Sequence, residues 1–214
     1  MLSIAAEQLE VSPDDLELSG GKINVKGVPG SSMTLKEIAG LSLSTSNEHE
    51  PVLGRGSSSL TESAPGFAVH LVEVEVDPLT GVTKPTAYVA AQDVGFALNP
   101  LLVEGQVEGA VGQGLGWALY EELMFDDAGQ LMTATLMDYT LPKADMIPPI
   151  EVLLVEVPAE LGPYGAKGIG EPPAIPGPAA VANAIKDLTG VRVDHFPIKP
   201  ETLAEKLWQA SAAD

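Results

Sequence analysis

The sequence predicts an α+β fold, with mixed and antiparallel sheets packed against helices. Two segments of alternating apolar character, FAVHLVEVEVD and VTKPTAYVAAQDVG, are joined by the short turn DPLTG, which is the pattern of an antiparallel strand pair. Helical segments with their own start and stop signals lie between and after the later strands instead of alternating regularly with them. The 214 residues, 45% of them hydrophobic, suffice for one large domain or two small ones with a true core, and no internal repeat divides them.

In chain order, LSIAAEQLEV has helical apolar spacing at Leu2, Ile4, Ala5 and Leu9 but no capping residue before it. The chain is therefore expected to continue from an upstream region and to be a fragment or split subunit. VSPDDLEL, SGG and KINV predict a hairpin, with Gly20 and Gly21 supplying the positive φ of a tight turn. TLKEIAGL predicts a short helix closed by a capping box between Thr34 and Glu37. These elements form an expected region 1–45, followed by an irregular segment 46–65 rich in Ser, Thr and Gly, and then by a region 66–214 without an internal linker.

In the third region Val72, Val74 and Val76 alternate with Glu73 and Glu75, as in a half-buried strand. His70 shares the valine face and is expected to be a hydrogen-bonded core residue. Pro85 in the next strand requires an edge or a bulge. Asn99 and Pro100 then open a long helix. Its glycines 105, 109, 112 and 116 fall on one face, although each one inside a helix costs up to about 1 kcal/mol relative to alanine. Two explanations have equal weight: tight helix packing, or close approach of a flat ligand flanked by Gln106 and Gln113. DDAGQ predicts a turn, and LMTATLMDYTLP, IEVLLVEVP and VRVDHF predict strands. PAAVANAIKDLTG predicts a helix ended by Gly190, and PETLAEKLWQA a last amphipathic helix.

The formal net charge of −19, from 30 acidic and 11 basic residues, disfavours nucleic acid and anionic membrane as partners. The absence of cysteine excludes disulfides and iron–sulfur ligation by this chain and accords with a cytoplasmic protein. The three histidines, His49, His70 and His195, have no ligand spacing, so a metal is expected only inside a cofactor. The segment GPYGAKGIGEPPAIPGPAA is the candidate site. Gly165, Gly168 and Gly170 free the backbone to present N–H groups to an anion, and Lys167 is its one cation. Glu171 precedes two prolines; a carboxylate on such stiff, apolar backbone is expected to be partly desolvated, which raises its pKa and suits it to accept a proton. A solvated surface turn is the bland alternative. The segment lacks the Walker pattern, and GQGLGW lacks the third glycine of a dinucleotide fingerprint.

DVGFALNPLLVEGQVEGAVGQGLGWALYEEL, DYTLPKADMIP and GAKGIGEPPAIPGPAAVANAI, in that order, resemble the C-terminal part of the molybdenum-binding subunit of the xanthine dehydrogenase and aldehyde oxidase family of molybdenum hydroxylases. The match runs from about residue 66 to the end, and AAEQLEVSPDDLEL resembles the stretch that precedes these motifs. The resemblance implies that 66–214 is a molybdopterin-binding domain portion and that a pterin dithiolene holds the metal, the cytosine dinucleotide form being expected. It implies that Glu171 is the active-site base in a hydroxylation that takes its oxygen from water. Lys167, Gly168, Ile169 and Gly170 fall where the family's loop wraps the pterin, Gln106 falls on a glutamine that hydrogen-bonds it, and Asp93, Asn99 and Gln113 match supporting positions. The upstream part of the subunit, a small-molecule substrate, and iron–sulfur and FAD partners are implied as well, so the chain is expected to be inactive alone. A second reading stays open, in which the chain is a non-catalytic interaction module without cofactor.

Overall fold

The structure, a computed structural model, describes residues 1–44, 49–57, 59 and 62–212. The expected irregular segment 46–65 lies partly outside the described residues. The chain forms two compact units, Met1–Ser59 and Leu60–Asp214.

In the first unit, helix α1 (Leu2–Leu9) buries Ile4, Ala5 and Ala6 and ends on Glu10 in the left-handed conformation. Strands β1 (Leu16–Ser19) and β2 (Lys22–Val25) form the hairpin, with φ of 57° at Gly20 and 73° at Gly21. A third antiparallel strand, β3 (Ser32–Thr34), was not legible in the sequence, and it leads into α2 (Leu35–Leu43). The capping box is present: the Glu37 amide donates to Thr34 Oγ1 at 3.2 Å, and the Thr34 amide donates to Glu37 Oε2 at 2.8 Å. Ile4, Ala5, Leu16, Ile23 and Ile38 make its core.

The second unit is built on a mixed sheet in the order β4 (Ala68–Val76), β5 (Thr83–Asp93), β6 (Ile150–Val155). β4 is antiparallel to β5, and β6 runs parallel to it. Pro85 lies in the central strand, beside the bulge between Glu73 and Val74, where a missing N–H does no harm. Helices α3 (Pro100–Leu119) and α4 (Pro176–Thr189) pack on the inner face, where Val72, Val74, Tyr88, Ala90 and Val152 join Val107, Val111, Leu115, Val181 and Ile185. Helix α5 (Pro200–Ser211) adds Leu203 to this core. The opposite face of the sheet exposes Val69, Leu71 and Leu153.

Two expected strands are absent. LMTATLMDYTLP retains one bridge, Phe125 to Leu131 across the DDAGQ turn, and then coils as the Tyr139 amide donates back to the Thr135 carbonyl at 2.8 Å. The segment pairs with neither outer edge of the sheet, β4 or β6, and local bonds hold it instead, Thr135 Oγ1 donating to Asp138 Oδ2 at 3.0 Å and the Tyr139 hydroxyl to Glu121 Oε2 at 2.6 Å, while Met137 is left 96% exposed. VRVDHF is irregular because its flanks bond elsewhere: the Val191 amide to Thr189 Oγ1 and the Ile198 amide to the Ala118 carbonyl. No helix among the described residues is long and apolar enough to cross a membrane.

Candidate functional site

The site assembles from α3 and from the loop between β6 and α4. Asn99 caps α3, its Oδ1 accepting from the Leu102 amide at 3.2 Å, with Pro100 at the first helical position. The glycine stripe of this helix divides in two. Beside Gly105 and Gly109 a Cβ would meet nothing within 4 Å, whereas at Gly116 it would collide with the Glu121 carboxylate. The tight crossing with α4 uses Gly114, outside the stripe: a Cβ there would stand 2.7 Å from the Ala174 carbonyl oxygen, and one on Gly177 would stand 2.9 Å from Gly114 Cα.

That crossing seats the loop. Pro173 and Ala174 are buried against α3, and the Ala174 amide donates to the Glu171 carbonyl at 2.9 Å in a short 3-10 turn. Glu171 stands at the outer corner of this turn. Glu171 is exposed, so the expected desolvation is not present in the chain by itself; of the two prolines that follow, Pro173 is buried and Pro172 half-buried. Between the two elements runs a groove of about 490 Å³. Gln106, Gly109, Gln113 and Trp117 line it from α3, and Gly170, Glu171, Ala174 and Ile175 from the loop.

Of the residues singled out in the sequence, the groove brings together Gln106, Gly170 and Glu171. Gly168 and Ile169 lie outside its lining, yet the amides of Gly168, Ile169 and Gly170 donate to no group among the described residues, and a Cβ on Gly168 or Gly170 would meet nothing within 4 Å. Only Gly165 of the three loop glycines has a positive φ, 77°, so the freedom expected at the other two is not used for backbone conformation. Lys167 points inward, Nζ to Asp93 Oδ2 at 2.6 Å. Burial pushes the Asp93 carboxyl up, but the Lys167 hydrogen bond and charge and the Gly95 amide outweigh it and hold the pKa below the ordinary value. Trp117 is a groove residue that sequence reasoning missed; its position four residues beyond Gln113 on the same helix was the available signal. A second cavity, about 280 Å³ between α5 and the preceding segment, has its charges already paired, Lys199 with Glu122 and Lys206 with Asp194.

The family described as the molybdopterin cofactor-binding domain matches residues 1–148. The 6-hydroxypseudooxynicotine dehydrogenase complex subunit gamma of Paenarthrobacter nicotinovorans is 37% identical over 94% of this chain, which covers 26% of that protein. The putative xanthine dehydrogenase molybdenum-binding subunit XdhA of Escherichia coli is 34% identical over 96% of the chain, covering 28% of its length. Among solved structures, the Cu,Mo-CO dehydrogenase superposes with a TM-score of 0.83 at 30% identity, over 98% of this chain and 27% of that one. Quinoline 2-oxidoreductase from Pseudomonas putida 86 gives 0.76 at 31% identity, over 97% and 28%. The chain thus spans about a quarter of the length of the curated relatives it matches. Matched in this way along nearly its whole length, it belongs to the molybdopterin cofactor-binding family, as a part of the molybdenum-binding subunits of the xanthine dehydrogenase, carbon monoxide dehydrogenase and aldehyde oxidoreductase type.

Proposed function

We propose that this chain is the cofactor-holding, base-bearing part of a molybdenum hydroxylase, with Glu171 as the base and Gln106, Gly168, Ile169 and Gly170 as cofactor contacts. The observation that carries the reading is the groove, in which residues far apart in sequence, Gln106 on α3 and Glu171 on the β6–α4 loop, face one space. The residues present fit a flat, anionic pterin. Three unbonded amides are available to its oxygens, Gly105 and Gly109 leave the helix surface open to close approach, and an indole closes one end.

The bound molybdenum cofactor, its pterin in the cytosine dinucleotide form, would supply through its metal the redox centre and the activated oxygen. The chain's own residues do the rest. The Gln106 side-chain amide, with a donor and an acceptor, would hydrogen-bond the cofactor and hold its orientation. The Glu171 carboxylate accepts a proton when oxygen is transferred to an electrophilic carbon of the substrate, an aldehyde or an N-heterocycle. Its exposure here accords with a site whose remaining wall comes from the rest of the subunit. The names of relatives that act on nicotine and quinoline support the heterocycle class. Turnover then requires that remainder together with iron–sulfur and FAD partners, and the chain alone is inactive.

The test is Glu171→Gln in the assembled enzyme. Turnover should fall by about 10²–10⁴-fold while molybdenum, by elemental analysis, and pterin, by fluorescence after denaturation, stay at wild-type levels. Undiminished turnover would overturn the base assignment. Absence of molybdenum and pterin from the wild-type enzyme would overturn the cofactor reading.

A further inference from the structure

The loop that carries Glu171 has few side chains with which to hold its own shape, so its position must be imposed from outside. Two anchors do this. Downstream, the buried Pro173 and Ala174 rest on Gly114 of α3. Upstream, Lys167 reaches back to Asp93, the last residue of the central strand β5, and the two side chains are only 8% and 6% exposed. Backbone contacts surround this pair. Asp93 Oδ1 accepts from the Gly95 amide at 3.0 Å, and the Lys167 amide donates to the Val94 carbonyl at 3.0 Å. The Gly165 carbonyl accepts from the Ala159 amide at 2.9 Å. Gly95 has φ 68°, and any side chain there would collide with the Gly165 carbonyl and come within 2.8 Å of Lys167 Cγ.

Resting on the reading of Glu171 as base, we propose that Asp93 and Lys167 form a positioning pair, which sets Glu171 across the groove from Gln106 and retires the loop's one cation from contact with the bound cofactor. A buried ion pair contributes little net stability, because desolvation of the two charges offsets their attraction, so its effect is on geometry. Loss of one partner leaves the other as an uncompensated buried charge and deforms the loop. Loss of both removes that penalty. The variants are therefore expected to be strongly non-additive.

The experiment uses the assembled enzyme and the variants Asp93→Asn, Lys167→Met, the double variant, and Lys167→Arg. Amide hydrogen exchange over residues 165–171 is read beside kcat, KM and molybdenum content. Each neutralising single variant should speed exchange in that segment about tenfold or more and lower kcat by about 10- to 100-fold, with KM and molybdenum unchanged. The double variant should be no worse than the worse single, and Lys167→Arg, which keeps the charge, should hold exchange near wild type. Loss of molybdenum in Lys167→Met with unchanged exchange would make Lys167 a cofactor contact and overturn the proposal. Additive effects in the double variant would overturn it too. Full activity of Glu171→Gln would remove the base reading alone, because the exchange measurement judges the pair without reference to turnover.

Discussion

His70 sits on the inner face of β4 with its Nδ1 2.9 Å from the Tyr88 hydroxyl, the two rings edge to face at 5.5 Å. Burial holds its pKa below 6.5, and burial likewise pushes the Tyr88 phenol up to about 12. A histidine with a depressed folded-state pKa binds fewer protons folded than unfolded. Its contribution is complete above the unfolded value of 6.5 and is lost as the pH falls through that value toward the folded one. The unfolding midpoint should therefore drop between about pH 7.5 and 5.5, and His70→Gln should flatten that part of the profile. Asp93 has a separate window. Its lowered pKa means stability present above 3.8 and lost only in stronger acid, so differential scanning below about pH 4 should isolate it by comparison with Asp93→Asn.

At the scale of elements, α3 makes two opposite demands on glycine. Gly114 is crossed at contact distance by the Ala174 carbonyl and by Gly177, whereas Gly109 faces open space in the groove. Gly114→Ala should destabilise the second unit by about 1–3 kcal/mol through overpacking, in spite of the better helix propensity of alanine. Gly109→Ala should raise stability by up to about 1 kcal/mol, and Gly109→Leu should lower pterin occupancy while leaving the fold intact. Urea unfolding and pterin fluorescence read the two effects. Spacing alone could assign glycines 105, 109, 112 and 116 to one face of the helix, but not what lies opposite that face: the tight helix crossing falls on Gly114, outside the stripe, and Gly105 and Gly109 are left open. Local signals were legible: the Thr34–Glu37 box, the Asn99–Pro100 start and the Gly190 stop. Partnerships were not. β3 exists because β2 offers it an edge, LMTATLM coils on its own side-chain bonds instead of joining an open edge of β4 or β6, and nothing in the sequence near Lys167 points to Asp93. The glycine-rich loop and its Glu171 were legible as a motif, while the place of Trp117 in the groove and the exposure of Glu171 depend on how α3 and the loop pack.

For the molecule as a whole, the net charge of −19 sets a background of self-repulsion. Few basic side chains are available to relieve it, and one of them, Lys167, is buried against Asp93. Screening should therefore stabilise the protein, with the melting temperature rising by a few degrees between about 10 and 300 mM NaCl. A flat or falling salt profile would show that pairwise attractions outweigh the overall field. The parallel pairing of β5 with β6 has a consequence in time. A hairpin such as β4–β5 closes over a short turn, but β6 reaches β5 only after the whole connection from Asp93 to Ile150, α3 included, has been gathered in. Such non-local closure is slow, because chain entropy is lost before contacts reward it. One wall of the groove belongs to that connection, and the other follows β6, so the two walls meet only when this late step is complete. On the proposed reading of the groove as the pterin site, cofactor insertion would follow folding, because the two walls that would hold the pterin meet last.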